Sequence, residues 1–166
     1  MTKAIGLDIA QAMVNEYNKQ VREAGISTEK MFAKVGNIVA DTVPAELSDP
    51  EYHGFDLVIV SMALHHLADA ELAMKRLAGR LKNGGVLWII DFVSGQMQKH
   101  EHEKLHPESA QTVHKHGFSA DEISTLYANA GLGKGFKYEV LGKPLKFDLH
   151  GHERKIIAFT ARGEKA

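Results

Sequence analysis

Short apolar runs alternate along this chain with longer segments in which apolar residues recur every three or four positions. Four of the runs have the length of buried strands: 4–7, 30–39, 55–60 and 86–90. The segment 9–24 has helical spacing, and Gly25 is expected to end that helix. Pro44 and the polar stretch 48–50 indicate a loop with a helical turn before the third run.

Two further helices are predicted from their start and stop signals. Asp69 can accept hydrogen bonds from the first-turn amides of one helix, and the stretch Asn83-Gly84-Gly85 is expected to end it. Ser119 and Glu122 have the spacing of a capping box, in which each side chain binds the other's backbone amide. The helix that they start is expected to run to about Ala130.

The last two strands differ from the earlier ones because no helix separates them. The segments 136–141 and 155–162 alternate apolar and polar residues, so they are expected to form an antiparallel pair. The earlier strands alternate with helices, which favours parallel pairing. The sequence therefore predicts one domain over 1–166. Its fold is expected to be an α/β sandwich with a mainly parallel sheet and a C-terminal antiparallel hairpin.

Composition and charge argue against several classes of protein. Of the 166 residues 44% are hydrophobic and 25% charged, as in ordinary globular domains. A formal net charge of -1 gives no electrostatic reason to expect nucleic acid or an anionic membrane as partner. No apolar run approaches the ~20 residues of a membrane span, and cysteine is absent. The first ten residues lack the apolar stretch of a secretory signal. We therefore expect a cytoplasmic protein.

Three stretches together form a pattern that is more specific than any one of them. The first is AIGLDIAQAM, an apolar run that ends in Asp8. The second is FDLVIVSMALHHL at 55–67, followed by a predicted helix and then by LKNGG and VLWIIDF at 81–92. The third begins at 116–119 and includes the last helix and the final strand pair. This chain resembles the class I S-adenosylmethionine-dependent methyltransferases, above all small-molecule enzymes of the ubiquinone-biosynthesis type.

The resemblance implies a Rossmann-like fold, S-adenosylmethionine as cofactor and a small-molecule methyl acceptor. Asp8 matches the acidic residue that accepts both ribose hydroxyls, and a carboxylate at a strand end is able to do so. Ile9 would then lie on one face of the adenine. Asn37 stands where the family usually has an acidic residue for the adenine amino group, and Ile38 would be a second adenine neighbour. Simpler interpretations are a helix N-cap for Asp8 and an asparagine turn for Asn37.

Residues after the third run match the strand end that approaches cofactor and substrate in this family. Ser61, Met62 and Ala63 occupy the cofactor-facing positions. His65 and His66 follow them, where a neutral imidazole could accept a proton from the methyl acceptor. The alternative is structural, with one histidine packed under the helix and the other capping backbone groups.

The family also places a glycine-rich loop ahead of the segments found here, and no such loop precedes Lys3. The first βα unit is therefore interpreted as missing, so cofactor binding is expected to be weakened. That strand is central in the family sheet. We expect a second copy to cover the exposed edges, as a homodimer or strand-swapped oligomer. The glycines of 131–135 do not replace the loop, because they follow a helix and open a strand.

Several histidines in the polar stretch 94–115 and just after it raise the question of a metal site. Imidazole and carboxylate groups suit zinc, but the spacing of these residues matches no metal motif. We therefore expect no metal, and we favour a solvated segment that covers the substrate. The residues concerned are His100, His102, His106, His114, His116, Glu101 and Glu103.

Three hypotheses for function remain open on the sequence. The first is a methyltransferase for a small molecule, and the second is a non-catalytic binding or interaction module with a methyltransferase fold. The third is a fragment of a longer enzyme. A dehydrogenase is disfavoured, because the chain has no dinucleotide fingerprint.

Overall fold

The computed structural model describes residues 2–95, 113–149 and 152–166. Its contacts divide the chain into two units, Met1–Tyr52 and His53–Ala166. The first unit contains a two-stranded sheet, and the second contains a four-stranded sheet and a hairpin. Strands and helices alternate in both, which confirms the predicted α/β class. The single-domain boundary stays a prediction.

The first unit is built around a βαβ arrangement. Strand β1 (Ala4–Asp8) pairs in parallel with β2 (Met31–Val35), and helix α1 (Gln11–Glu23) connects them. Val14 and Val21 on α1 are buried. They lie seven positions apart, which is two helical turns, so both point to one face of the helix.

The side chain of Asn18 on α1 binds both backbone groups of one residue of β2. Its Nδ2 donates to the Ala33 carbonyl at 2.9 Å, and its Oδ1 accepts from the Ala33 amide at 2.8 Å. Strand β2 ends at Val35, so the predicted strand over 30–39 is too long. Chain direction changes there because Asn37 Oδ1 accepts a hydrogen bond from the Val39 amide at 2.9 Å and closes a turn.

The loop that follows contains two short 3-10 turns, Ala45–Ser48 and Pro50–Tyr52. The predicted loop with a helical turn is thereby confirmed.

The second unit carries the larger sheet, in the order β3-β4-β8-β5. Strands β3 and β4 are parallel, whereas β8 is antiparallel to both β4 and β5. The antiparallel pair predicted for the last segments is thus confirmed as β5 and β8. A separate antiparallel hairpin, β6 and β7, lies between them in sequence. The strands are β3 (Phe55–Ser61), β4 (Leu81–Phe92), β5 (Lys134–Val140), β6 (Leu145–Leu149), β7 (His152–Ile156) and β8 (Ala158–Glu164).

Two predicted boundaries in the second unit are wrong. The segment 155–162 is not one strand, because it spans the end of β7 and the start of β8. The helix after Asp69 does not continue to Asn83-Gly84-Gly85, since these residues belong to β4. Gly85 is required there by close packing: a Cβ atom at this position would lie 2.8 Å from the Phe55 carbonyl oxygen.

Two helices cover one face of this sheet. Helix α2 (Ala70–Ala78) begins as predicted, with Asp69 Oδ1 accepting from the Leu72 amide at 2.8 Å. Helix α3 (Ala120–Asn129) begins with the predicted capping box of Ser119 and Glu122. Their inward faces and the sheet enclose a continuous core that includes Met74, Leu87, Ile89, Ile123, Tyr127 and Phe159.

The other face of the sheet is apolar and exposed at β3 and β4. Leu57, Ile59 and Trp88 are 45%, 58% and 43% exposed. They lie on one face because β3 residues pair in register with β4 residues, for example Ile59 with Trp88. Within the described ranges β3 is paired on one side, to β4, and β1 on one side, to β2. Each unit therefore ends in a strand edge.

Candidate functional site

In the first unit, the turns after β1 and β2 lie side by side. The Gly36 amide donates to the Asp8 carbonyl oxygen at 2.9 Å, and the parallel register pairs Asp8 with Val35. This brings together the four residues predicted to hold adenosine, which we call the β1–β2 turn group: Asp8, Ile9, Asn37 and Ile38.

Asp8 is held by a short local hydrogen bond. Its Oδ1 accepts from the Ala10 amide at 2.8 Å. Ala10, not Asp8, is the N-cap of α1, and it provides no side-chain cap. The N-cap interpretation of Asp8 is therefore wrong, although its carboxylate does bind a backbone amide at the helix start. A carboxylate can accept further hydrogen bonds, so this contact is compatible with ribose binding.

The apolar neighbour of Asp8 faces outward. Ile9 is 66% exposed, and Ile38 is half-buried. Asn37 is exposed, with its Oδ1 engaged by Val39, so the turn interpretation of Asn37 is confirmed. The Nδ2 group of an asparagine is a donor, whereas an adenine amino group needs an acceptor. Asn37 therefore suits the adenine amino group only by sharing Oδ1, and its cofactor role stays a prediction.

Close packing fixes the turn after β2. A Cβ atom at Gly36 would lie 2.8 Å from Leu47 Cδ1 and 3.4 Å from Leu7 Cδ2. Glycine at this position therefore lets the side chain of Leu47 pack directly against the turn.

In the second unit, the strand end of β3 turns sharply at Met62. Its φ of 52° is the one positive φ of a non-glycine residue among the described residues. Such a conformation costs on the order of 1–3 kcal/mol and often marks a functional site. The Met62 amide donates to the Ile90 carbonyl at 2.8 Å. Ser61 and Ala63 on either side are exposed, and the cofactor-facing role of these three residues stays a prediction.

His65 forms a buried pair with Asp91, the residue near the end of β4. His65 Nδ1 lies 2.7 Å from Asp91 Oδ1, and the His65 amide donates to Oδ2 at 3.2 Å. The Phe92 amide donates to Oδ1 at 2.7 Å. Asp91 is fully buried, and these contacts supply the donors that a buried carboxylate requires.

The same turn is bound by a later part of the chain. The backbone amides of His114 and Lys115 donate to the His65 carbonyl at 3.1 and 3.2 Å. The His66 ring lies 4.1 Å from the His65 ring, centroid to centroid, and the Phe92 ring lies 5.0 Å from it. The C-terminal end of the segment 94–115, which is predicted to cover the substrate, is thus held beside His65 and His66.

Asp91 is the residue of this site that sequence reasoning missed. The strand predicted over 86–90 ends immediately before it. The available signal was a carboxylate placed directly after an apolar strand, the same signal that identified Asp8. Because Asp91 lies 26 positions from His65, nothing local in the sequence connects the two.

No three histidine or acidic side chains in the described ranges lie close enough together to hold a metal ion. His100, His102, His106, Glu101 and Glu103 lie outside the described residues. No described helix is both long and apolar enough to cross a membrane.

Comparisons with known proteins agree with this fold. Residues 2–87 match the model of the methyltransferase-domain family, which is more than half of the chain. An uncharacterised methyltransferase of Schizosaccharomyces pombe is 32% identical over 142 residues, covering 84% of this chain and 48% of the relative. The chain thus spans about half of that relative's length. It belongs to the class I S-adenosylmethionine-dependent methyltransferases.

Solved structures show the same architecture. The YcgJ protein of Bacillus subtilis superposes with a TM-score of 0.73 at 15% identity, over 99% of this chain and 82% of that one. A protein of Methanosarcina mazei, described as an S-adenosylmethionine-dependent methyltransferase, superposes with a TM-score of 0.61 at 17% identity. That match covers 97% of this chain and 81% of the other. The predicted Rossmann-like methyltransferase fold is confirmed.

The residues present suit part of this cofactor. Asp8 offers a carboxylate to ribose hydroxyls at the carboxyl end of a strand, and exposed Ile9 offers an apolar surface to a base. When bound, S-adenosylmethionine supplies a methyl group on a positively charged sulfur.

Proposed function

We propose that this chain binds S-adenosylmethionine and transfers its methyl group to a small-molecule acceptor. The observation that carries the proposal is the β1–β2 turn group. The Gly36–Asp8 backbone bond holds the Asp8 carboxylate at the carboxyl end of a parallel pair. Ligands of open α/β sheets bind at that end of the strands.

A small acceptor is favoured over a nucleic acid by the charge of the chain. The formal net charge is -1, and phosphate backbones are bound mainly by clusters of basic side chains. The alternative is a binding module that keeps the adenosine contacts without turnover.

The first test is calorimetric titration of S-adenosylmethionine and S-adenosylhomocysteine into wild type, Asp8→Asn and Asp8→Ala. Asparagine keeps an oxygen for the Ala10 amide but removes the charge, so it separates local structure from ligand binding. A lost charge-assisted hydrogen bond costs ~1.5–3 kcal/mol, so Asp8→Asn is expected to weaken binding ~10–100-fold.

Asp49→Asn is the matched control, since Asp49 is exposed in the same unit. It should bind as tightly as wild type. Binding that is unaffected by both Asp8 variants would contradict the assignment of the ribose site. Binding without transfer to any acceptor would favour the binding module.

A further inference from the structure

We propose that His65 and Asp91 form a proton-accepting pair, and that the methyl acceptor is accordingly a hydroxyl compound whose O–H proton must be removed. His65 is the catalytic residue of the pair, and Asp91 is its positioning residue. The inference rests on the proposed function, because it names the class of acceptor for the proposed methyl transfer.

The hydrogen bonds define which ring nitrogen is free. Asp91 accepts from the backbone amides of His65 and Phe92, so its carboxylate acts as an acceptor on both oxygens. Nδ1 of His65, at 2.7 Å, must then donate its hydrogen to Asp91. In a neutral imidazole the other nitrogen, Nε2, carries the lone pair. The network therefore selects the tautomer that can act as a base.

The position of His65 also suits this role. Nε2 lies on the far side of the ring from Nδ1, so it points away from Asp91. The residue sits in the turn after the carboxyl end of β3, three positions beyond the strained Met62. Its backbone is held by the amides of His114 and Lys115. Among the described residues, the titratable side chains in contact with the ring are those of Asp91 from β4 and His66 from the same turn.

The chemistry balances without a further reactant. The hydroxyl oxygen of the acceptor forms a bond to the methyl carbon, and the carbon–sulfur bond breaks with its electron pair left on sulfur. The O–H bond also breaks, and its proton moves to Nε2 of His65. The resulting imidazolium faces the Asp91 carboxylate, which stabilises its positive charge. The proton is then released to solvent. A neutral amine is a stronger nucleophile than a neutral hydroxyl group, so an amine acceptor needs this assistance less.

The first measurement is the tautomer of His65 in the full chain, by long-range ¹H–¹⁵N NMR at neutral pH. His65→Gln identifies the signal by removing it. We expect a protonated Nδ1 and an unprotonated Nε2, and a mixture of tautomers in Asp91→Asn. A protonated Nε2, in either a neutral or a charged ring, would overturn the proposal, because that nitrogen then cannot accept the acceptor's proton.

The second measurement is transfer of labelled methyl from S-adenosylmethionine to sets of alcohols, phenols, thiols and amines. We expect transfer to hydroxyl compounds. The initial rate should fall ~100-fold or more in His65→Gln, the usual range for a general base, with a smaller fall in Asp91→Asn. KM for the hydroxyl acceptor should change little. Asp56→Asn, an exposed carboxylate on β3, should match wild type.

Calorimetry on the same variants separates the two proposals. Failure of wild type to bind S-adenosylmethionine would overturn both. Intact binding without transfer to any acceptor would overturn the base assignment and the proposed methyl transfer together. Intact binding with transfer to amines or thiols alone, or with equal rates in His65→Gln, would overturn the base assignment only. A purely structural pair would lower stability in Asp91→Asn but leave the rate of the folded protein unchanged.

Discussion

The two units differ in how their candidate functional residues are supported. In the second unit, Asp91 lies within a continuous core of strands β4 and β8 and helices α2 and α3. In the first unit, the members of the β1–β2 turn group are exposed or half-buried, and few large side chains are buried. The buried apolar side chains of the first unit are Val14, Val21, Ala33, Leu47 and Tyr52.

The helix starts show the same difference. Helix α3 has a full capping box, whereas α1 begins at Ala10 without a side-chain cap. Asp8 binds the Ala10 amide instead, so one carboxylate serves both the helix start and the predicted ribose contact. In the second unit, by contrast, the capping residues and the His65–Asp91 pair are separate. Cofactor recognition is therefore expected to be more easily disturbed than the proton-accepting pair.

The largest expected effect tests the second unit's core. Phe159 is fully buried and stacks on Tyr138 at 4.8 Å, so Phe159→Ala should lower the free energy of unfolding by ~3–5 kcal/mol. Denaturant titration followed by fluorescence measures this, because Trp88, the single tryptophan, lies in the same sheet. Phe32→Ala, a half-buried ring of the first unit, should leave the Trp88 transition nearly unchanged. An equal loss of unfolding free energy in both variants would contradict the difference in packing between the two units.

A smaller effect is expected at the turn of the first unit. In Gly36→Ala the new methyl group would lie 2.8 Å from Leu47 Cδ1, and such overpacking costs ~1–3 kcal/mol. Because Gly36 also holds the Asp8 carbonyl, we expect weaker cofactor binding. A double-mutant cycle with Leu47→Ala, followed by hydrogen exchange of first-unit amides, checks the cause. If Gly36→Ala is equally costly in both backgrounds, the close contact with Leu47 is not the reason.

The capping box of α3 gives a third, pH-dependent effect. The hydrogen bond from Lys115 and then those from Ser119 hold the pKa of Glu122 below its usual range. A lowered folded-state pKa adds stability above the unfolded value of ~4.3, and this stability is lost as the pH falls through the folded value. Glu122→Gln should therefore reduce the acid sensitivity of unfolding, by less than ~1 kcal/mol for this exposed group.

Thermal unfolding of both proteins between neutral and acidic pH measures the difference. Glu16→Gln, an exposed carboxylate on α1, is the control, since it forms no cap. Curves for Glu122→Gln and wild type that remain parallel down to low pH would contradict the prediction.

Local signals in the sequence were sufficient for most elements of the fold. The capping box at Ser119 and the cap at Asp69 each depend on residues three apart, so both helix starts were predictable. The end of α2 was not predictable, because a Gly-Gly pair is equally compatible with the end of a helix and with a strand that closely approaches its neighbour. Only the approach of Gly85 to the Phe55 carbonyl, 30 residues away in sequence, distinguishes these.

The candidate site was predictable to the same extent. Asp8 and the histidines follow apolar strands, and that local pattern identifies them. The contact between His65 and Asp91 depends on the register between β3 and β4. That register pairs Ser61 with Ile90 and so brings Asp91 beside the turn that carries His65. Sequence patterns do not reveal such register, because each strand carries an unbroken apolar run, 57–60 in β3 and 86–90 in β4. The resemblance to a family supplied roles for residues but not this contact.

The smallest effect on stability concerns the edge strand of the second unit. Ile59 on β3 is 58% exposed next to exposed Leu57 and Trp88, and exposed apolar strand edges favour association. We predict that the chain sediments as a homodimer, and that Ile59→Lys converts it to a monomer. A surface substitution of this kind should change unfolding by no more than about 0.5 kcal/mol.

The matched control for that experiment is Glu139→Lys, which adds the same charge on β5. Glu139 pairs with Thr160 and lies on the same face as Ile59, but at the opposite edge of the sheet. It should leave the sedimenting mass unchanged. A wild-type monomer would show that the apolar face of β3 and β4 tolerates water without a second copy.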